Sequence, residues 1–223
     1  MTAHIGVLCL ETTFTKIVGH IRNPATFGFE VRYQVVAGAT PERLVTQGDP
    51  RLLTPFIEAA RELEAGGAAA ITSGCGFLVL FQRELAAAVG VPLYSSSLIL
   101  LPAVHRMLRP DQKVGLLVAS KDALTSRHLA AIGGDSVPVS VAGLAGQPEF
   151  REVILSGARD ELDVGRLREE VLAEAARLDP AVGAVIIECT DLAPFAGEIS
   201  QRLGVPVFDI VTLTEMVYRT LTR

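Results

Sequence analysis

The segment AAAITSGCGFLVLFQRELAAAVGVP, residues 68–92, aligns without gaps onto VGAVIIECTDLAPFAGEISQRLGVP, residues 182–206. A constant offset of 114 positions relates Cys75 to Cys189. The same offset relates Phe81 to Phe195, Glu84 to Glu198 and Pro92 to Pro206. Self-similarity at one fixed spacing is the signature of a repeated architecture. The chain is therefore predicted to consist of two similar halves.

Each half contains short β-branched runs that alternate with longer stretches of helical period, which is the pattern of parallel α/β folds. The strands are predicted at 4–9, 31–37, 68–73, 91–95, 113–118, 137–142, 182–188 and 205–210. The fold class that follows is α/β, with two similar doubly wound parallel-sheet lobes related by pseudo-two-fold symmetry and an active-site cleft between them. We assign residues 1–110, with Cys75, to the first lobe and 111–223, with Cys189, to the second. The C-terminal helix is expected to pack back on the first lobe.

Composition and charge exclude several classes of protein. Of the 223 residues, 49% are apolar but only 5% are aromatic and none is Trp, so Ala, Val, Leu and Ile must build the core. The net charge is −5 and no Lys/Arg cluster forms a basic stripe, which argues against a nucleic-acid partner. The segment MTAHIGVLCL lacks the pattern of a secretion signal, and no apolar run reaches the length of a membrane span. The sequence thus predicts a cytoplasmic protein with no membrane partner.

The Cys and His patterns point away from metals and disulfides. Cys9, Cys75 and Cys189 lie far apart and include no CxxC pair, and the four histidines show no ligand spacing. The chain also contains no GxGxxG, no P-loop and no lysine in a Schiff-base context. We therefore predict neither a metal nor a cofactor.

Cys75 and Cys189 stand where ligands bind in open parallel sheets, just beyond the carboxyl end of a strand and before a helix. At a helix N-terminus the free N–H groups and the macrodipole are expected to lower the thiol pKa from its free value of about 8.5. A single such cysteine is best read as a small buried hydrophobe, as we read Cys9 inside the first strand. Two at equivalent strand ends would face each other across the cleft. Inversion of a carbon stereocentre needs two acid/base groups on opposite faces, and this arrangement supplies them.

The TSGCGF segment around Cys75, the ECTDL segment around Cys189, their spacing and the internal repeat together resemble the aspartate/glutamate racemase superfamily over essentially the whole chain. The resemblance implies a cofactor-independent racemase of a small amino acid or a related carboxylate or hydantoin, with Cys75 and Cys189 as the catalytic pair. It implies a small-molecule carboxylate as the partner and leaves open whether the protein is a homo-oligomer. In the decarboxylase branch of the superfamily only the second cysteine is kept, so the presence of both argues against that activity.

The chain departs from the motifs of glutamate racemases. Those enzymes resemble one another in an Asp-Ser pair, a Cys-Asn-Thr triplet and a Cys-Thr-His triplet, whereas this chain has Leu10-Glu11-Thr12, Cys75-Gly76-Phe77 and Cys189-Thr190-Asp191. Thr190 is implied by resemblance to bind the substrate carboxylate. Gly76 would let backbone N–H groups approach an anion, and Phe77 would either wall the pocket or pack in its helix. Asp191 would orient a thiol, bind an ammonium group or cap its helix.

Four further residues complete the predicted substrate-binding set. Ser73 and Ser96 follow two strands and would supply hydroxyl donors, although Ser96 also fits an N-cap. Glu11 and Thr12 end the first strand. The connection 11–30 that follows is unusually long, so we predict a lid there, with Arg22 either at a substrate carboxylate or on the surface.

Two other functions fit the same sequence. One is a maleate-type cis-trans isomerase, in which one cysteine adds covalently to an alkene. The other is a non-catalytic two-lobed ligand-binding protein. The sequence alone does not name the substrate.

Overall fold

The computed structural model describes residues 3–222, which form two four-stranded parallel sheets. The first sheet has the order β2-β1-β3-β4, with β1 His4–Cys9, β2 Val31–Val35, β3 Ala68–Ser73 and β4 Leu93–Tyr94. The second has the order β6-β5-β7-β8, with β5 Lys113–Val118, β6 Val139–Gly143, β7 Val182–Ile187 and β8 Val207–Phe208. Every predicted strand is present, although β4 and β8 are only two residues long. The predicted α/β fold class is confirmed.

Within the described residues, seven α-helices flank the sheets: α1 Leu53–Ala65, α2 Gln82–Ala87, α3 Leu101–His105, α4 Ser126–Ala130, α5 Val164–Ala175, α6 Ala196–Leu203 and α7 Ile210–Leu221. The longer helices begin where capping residues satisfy free backbone donors. Asp163 accepts the Arg166 N–H at the start of α5 at 3.0 Å, and Asp209 accepts the Thr212 N–H at the start of α7 at 2.7 Å. Within residues 3–222, none of these helices has the length and apolar character that crossing a bilayer requires.

The two sheets share more than their strand order. The pairing of β1 with β3 shifts register between His4 and Ile5, and the pairing of β5 with β7 shifts between Lys113 and Val114. The same irregularity at the same place is what a duplicated chain would retain. The pseudo-two-fold relation of the lobes stays a prediction, as does their boundary between residues 110 and 111.

The helices cross between the two halves. In α7, Ile210 and Leu213 pack with Ile5 and Val7 of the first sheet. Conversely, α3 and the 3-10 turn before it pack on the second sheet, where Leu101 meets a cluster that includes the strand residues Val114, Leu116, Ala184 and Ile186. Fully burying a Leu or Ile side chain contributes about 1.5–3 kcal/mol, so these exchanged contacts hold the two sheets together.

Candidate active site

Two equivalent turns bring the cysteines to the sheet edges. Cys75 follows β3 and Cys189 follows β7, and each has extended backbone dihedral angles. Each precedes a short 3-10 helix, Gly76–Phe81 or Thr190–Phe195, which continues into α2 or α6. Both side chains line the same pocket. The structure therefore brings together the two thiols that the repeat singled out.

The pocket has a polar floor and an apolar roof, and it encloses about 440 Å³ of empty space, part of it open to solvent. The floor is lined by Thr12, Lys16, Arg22, Gly74, Cys75, Gly76, Glu188, Cys189, Thr190 and Asp191. The walls and roof are lined by Leu10, Phe14, Pro41, Val45, Ala119, Phe150, Ile154 and Leu155.

Two π-helices form the roof. They span Glu42–Thr46 and Phe150–Leu155 and occupy equivalent places, after β2 and after β6. Val45 from the first and Ile154 from the second line the pocket. π-helical turns are rare and occur frequently at functional sites. Here they contribute apolar side chains to the pocket that the two thiols line.

The thiols differ from the sequence prediction in their ionisation. Burial raises the pKa of Cys75 far above its usual value, and the nearby Glu188 carboxyl raises it further. Burial also raises the pKa of Cys189, with added contributions from Asp191 and Glu188. The prediction that helix N-termini lower both pKa values is therefore wrong. The 3-10 helices are six residues long, and the few backbone N–H groups at their ends do not offset the loss of water and the neighbouring carboxylates.

Asp191 lies at the centre of a charged cluster. Its Oδ1 is 3.2 Å from Lys16 Nζ and 3.1 Å from His20 Nε2. Burial alone would raise the pKa of Asp191, but Lys16 and His20 outweigh it and hold the pKa well below its usual range. The other oxygen, Oδ2, is 3.8 Å from Cys189 Sγ. Asp191 is thus an anion that can accept a hydrogen bond from the Cys189 thiol.

His20 orients this cluster. Its ring is 2% exposed, and burial lowers its pKa. Nδ1 accepts the backbone N–H of Arg22 at 2.9 Å, so the single ring proton is assigned to Nε2, which faces Asp191 and the Thr190 hydroxyl. His20 therefore acts as a hydrogen-bond donor to Asp191 rather than as a base.

Lys16 and Arg22 give the pocket its positive charge. Arg22 Nη1 donates to the Leu10 carbonyl oxygen at 2.9 Å and to Thr12 Oγ1 at 2.8 Å. Lys16 Nζ lies 3.0 Å from the centroid of the Phe14 ring. Both cations come from the connection 11–30, which packs into the site from the first lobe. A guanidinium and an ammonium on one pocket floor favour a carboxylate ligand.

Six of the ten predicted site residues line the pocket: Thr12, Cys75, Gly76, Cys189, Thr190 and Asp191. The hydroxyl of Thr190 is already engaged, since it donates to the Gly74 carbonyl oxygen at 2.8 Å and lies 3.3 Å from His20 Nε2. It therefore joins the two lobes, and its role as a ligand of the substrate carboxylate stays a prediction.

The other four predicted residues do not line this pocket, and their contact with substrate stays a prediction. Ser73 Oγ lies 2.8 and 2.6 Å from the carbonyl oxygens of Cys75 and Ser95, so it fixes the cysteine turn from behind. Ser96 caps the turn after β4 by accepting the Leu98 N–H. Phe77 is fully buried and packs edge-on against His128, with ring centroids 4.9 Å apart. Glu11 is exposed and accepts the Gly38 N–H at 2.8 Å.

Four site residues were not selected from the sequence: Phe14, Lys16, His20 and Glu188. Three of them lie in the long connection, where no motif marks individual positions. Glu188 precedes Cys189 in the repeat at the position that Gly74 occupies before Cys75, so a residue-by-residue comparison of the two halves would have found it. Burial raises the pKa of this carboxyl to about 8.

Solved structures define the class of fold. An allantoin racemase from Klebsiella pneumoniae is 16% identical with a TM-score of 0.64, over 98% of this chain and 87% of that one. A glutamate racemase from Bacillus anthracis is 15% identical with a TM-score of 0.62, over 98% and 81%. An arylmalonate decarboxylase is 16% identical with a TM-score of 0.61, over 98% and 92%. The chain has the fold of the Asp/Glu racemase superfamily.

Curated proteins include relatives with a higher sequence identity than these structures. The names of these relatives state a different activity. Dimethylsulfoniopropionate lyase 3 of Emiliania huxleyi (strain CCMP1516) is 28% identical over 229 residues, which cover 97% of this chain and 59% of the relative. A dimethylsulfoniopropionate lyase of Durusdinium sp. clade D is 28% identical over 230 residues, covering 97% and 74%. The chain thus spans about 59% of the length of the first of these relatives. No family model matches the sequence.

Proposed function

We propose that this protein is a cofactor-independent enzyme that removes the proton α to the carboxylate of a small substrate, and that racemisation is its reaction. One observation carries the proposal: two thiols at equivalent strand ends, Cys75 and Cys189, line one pocket together with two cations. Two acid/base groups of the same chemistry on one pocket are what inversion of a stereocentre requires.

The reaction assigns a role to each part of the pocket. Lys16 and Arg22 bind the substrate carboxylate and stabilise the negative charge that develops on it when the α-proton leaves. The thiolate of one cysteine takes the proton from one face of the α-carbon. The thiol of the other cysteine delivers its own proton to the opposite face, so that one thiol and one thiolate remain, with their positions exchanged. The apolar roof keeps water from quenching the carbanion.

The neutral resting state of the thiols has a consequence for this mechanism. Because burial disfavours both thiolates, the reactive thiolate must form inside the substrate complex, next to the cationic groups. Asp191 would hold Cys189 in place through its 3.8 Å contact and its pairing with Lys16.

The relatives favour a second candidate function, the cleavage of dimethylsulfoniopropionate. The same thiolate would remove the proton α to the carboxylate, the electron pair would form a C=C bond, and the bond between the β-carbon and sulfur would break. Dimethyl sulfide would then leave as a neutral molecule and acrylate would remain. The apolar roof of Val45, Phe150 and Ile154 suits the methyl groups of a sulfonium, which supports this candidate.

One experiment separates the two candidates. The protein is incubated in deuterated water with single enantiomers of aspartate, glutamate and hydantoins, and with maleate and dimethylsulfoniopropionate, and each mixture is followed by proton NMR. Deuterium at the α-carbon together with the opposite enantiomer supports racemisation, and acrylate supports elimination. If no compound in the panel exchanges its α-proton or reacts, the proposal of α-proton chemistry on these substrate classes is refuted.

A further inference from the structure

One oxygen of the Asp191 carboxylate has room for a further partner. Oδ1 is engaged by Lys16 Nζ at 3.2 Å and by His20 Nε2 at 3.1 Å. The only partner of Oδ2 within residues 3–222 is the thiol of Cys189, whose Sγ lies 3.8 Å away. The Asp191 side chain is 15% exposed and lines the thiol pocket, so a ligand in that pocket can reach this carboxylate.

Arg22 supplies an opposite charge on the same floor. Its Nη1 donates to the Leu10 carbonyl oxygen and to the Thr12 hydroxyl, and Arg22 forms no ion pair within the described residues. Lys16 differs, because Asp191 already pairs with its ammonium group. An unpaired guanidinium is suited to a carboxylate, to which it can donate two parallel hydrogen bonds. The floor thus offers one unpaired cation and one anion with an available oxygen, which is the charge pattern that a zwitterionic ligand fits.

The position of the anion beside Cys189 determines where the positive group of such a ligand must lie. A base removes a proton when the reacting atoms are about 3–3.5 Å apart. The nitrogen of an amino acid is about 1.5 Å from the α-carbon, and an ammonium N–H bonds to a carboxylate oxygen at about 2.7–2.9 Å. Together these distances span the 3.8 Å between Cys189 Sγ and Asp191 Oδ2. A cationic nitrogen attached to the α-carbon can therefore contact Oδ2 while the thiol faces the α-proton.

The first lobe has no equivalent of this carboxylate. The offset of 114 positions places Phe77 at the position equivalent to Asp191, and Phe77 is fully buried against His128. An ammonium group would therefore be bound on the Cys189 side of the pocket. A positive group held there lies beside a thiol that must lose its proton, so it favours the thiolate of Cys189 inside the substrate complex.

We propose that Asp191 is the specificity-determining residue of the pocket, and that its Oδ2 binds the ammonium group of an α-amino acid whose carboxylate is bound by Arg22. The inference rests on the proposed function and narrows its substrate class to α-amino acids with a free ammonium group. A sulfonium has no N–H to donate, and in dimethylsulfoniopropionate it is attached to the β-carbon.

The test compares amino acids with hydroxy acids of similar shape, in the wild type and in Asp191→Asn. The pairs are alanine and lactate, aspartate and malate, and glutamate and 2-hydroxyglutarate. Each ligand is used as a racemic mixture, so that turnover leaves its composition unchanged. Isothermal titration calorimetry gives the dissociation constants, and the ratio of the two constants within a pair cancels any general damage to the pocket.

In the wild type, the amino acid of at least one pair should bind at least ~10-fold more tightly than its hydroxy acid, because a hydrogen-bonded ion pair replaces a neutral contact. Asp191→Asn should bring this ratio close to one. Arg22→Ala should weaken both members of the pair by a similar factor and keep the ratio. Asp111→Asn is the matched control, since Asp111 is exposed and pairs with Arg109 outside the pocket, and it should match the wild type.

Retention of the wild-type ratio in a folded Asp191→Asn variant overturns the proposal. Equal binding of amino and hydroxy acids by the wild type, or no binding of any amino acid in the panel, overturns it as well, and neither result requires a variant. If Asp191→Asn does not fold, Asp191→Ser provides the second variant, with the same expected loss of preference.

Failure of this inference can be distinguished from failure of the proposed function. Amino acids that bind through Asp191 but exchange no α-proton in deuterated water would refute the proposed function and leave the ammonium site in place. Amino acids that exchange their α-proton but bind independently of Asp191 would refute the ammonium site alone.

Discussion

At the scale of single residues, the position of the cysteines could be predicted from the sequence and their ionisation could not. The repeat and the strand ends located Cys75 and Cys189 correctly in one pocket. Their raised pKa values arise from burial under two π-helices and from Glu188 and Asp191. These neighbours are determined by tertiary packing, which the sequence around either cysteine does not reveal.

Replacement of one cysteine tests the two-thiol mechanism. Cys75→Ala and Cys189→Ala should each abolish racemisation in both directions, because one face of the α-carbon then lacks its proton donor and acceptor. Each variant keeps the opposite thiol, so it should still exchange the α-proton of one enantiomer with retention, and the two variants should differ in which enantiomer they select. Proton NMR in deuterated water with chiral analysis measures this. Cys9→Ala, which removes a buried thiol outside the pocket, serves as the control.

The outcome that contradicts this prediction is specific. Normal racemisation by a folded single-cysteine variant would show that the second thiol is not required. Exchange of both enantiomers by one variant would indicate a single base that reaches both faces.

Arg22 is the second residue-scale prediction, since it replaces Thr190 as the expected carboxylate ligand. Loss of a hydrogen bond to a charged group costs about 1.5–3 kcal/mol, so Arg22→Ala should raise KM by roughly 10-fold to 100-fold. Arg32→Ala should leave KM unchanged, because Arg32 is exposed and pairs with Glu30 outside the pocket. Steady-state kinetics on the substrate found by NMR provides the measurement. An unchanged KM for Arg22→Ala would indicate that backbone amides, rather than Arg22, bind the carboxylate of the substrate.

At the scale of secondary structure, the alternation of β-branched runs and helical stretches located the strands of both sheets. It did not reveal the 3-10 and π-helices that shape the site. The run Gly76–Phe81 is almost entirely apolar, so its sequence has no amphipathic period that would reveal a turn, and Pro194 lies inside the equivalent run Thr190–Phe195. Neither run has a helical period, which is why the local sequence could not predict these conformations.

Gly76 allows an element-scale prediction with a matched control. Gly76→Ala would place a Cβ atom 2.4 Å from the backbone oxygen of Glu188, so the cysteine turn and β7 must move apart. Overpacking of this kind costs roughly 1–3 kcal/mol, and it should also lower activity because it displaces Cys75. Gly197→Ala, in α6, meets no atom within 4 Å and should be neutral or slightly stabilising. Urea unfolding measures the stability of both variants. Equal stability for the two would show that the lobes are not in tight contact at Gly76.

At the scale of the whole molecule, the repeat predicted two similar sheets, and the C-terminal helix was expected on the first lobe, where α7 packs. The sequence did not indicate that α3, which comes from the first half of the chain, packs on the second sheet. The structure exchanges them, so that α3 covers the second sheet and α7 covers the first. As a result, the thiol pocket lies between two lobes that are interlocked at their cores, and the Ser97 hydroxyl adds a direct bond to the Ile187 carbonyl oxygen at 2.6 Å.

The buried carboxyl of Glu188 makes the stability of the whole molecule depend on pH in a predictable direction. Its pKa is about 8 in the folded protein against an ordinary value of 4.5. Below pH 4 the Glu188 carboxyl is protonated in both the folded and the unfolded protein, so it costs little stability. Between pH 4.5 and pH 8 the unfolded chain ionises while the folded protein does not, so the wild type loses about 1.4 kcal/mol of stability per pH unit from this group, a few kcal/mol in total. The Glu188→Gln variant has no ionisable group at this position, so it does not lose this stability.

Urea unfolding should therefore show that the stability of Glu188→Gln relative to the wild type increases between pH 5 and pH 8 and then levels off. Glu174→Gln provides the control, because the charge of Glu174 is paired with Arg177 and its removal should not give a rising advantage over that range. A difference between Glu188→Gln and the wild type that stays constant from pH 5 to pH 8 would mean that Glu188 is already ionised in the folded protein. In that case the pocket carries a permanent negative charge beside both thiols at neutral pH.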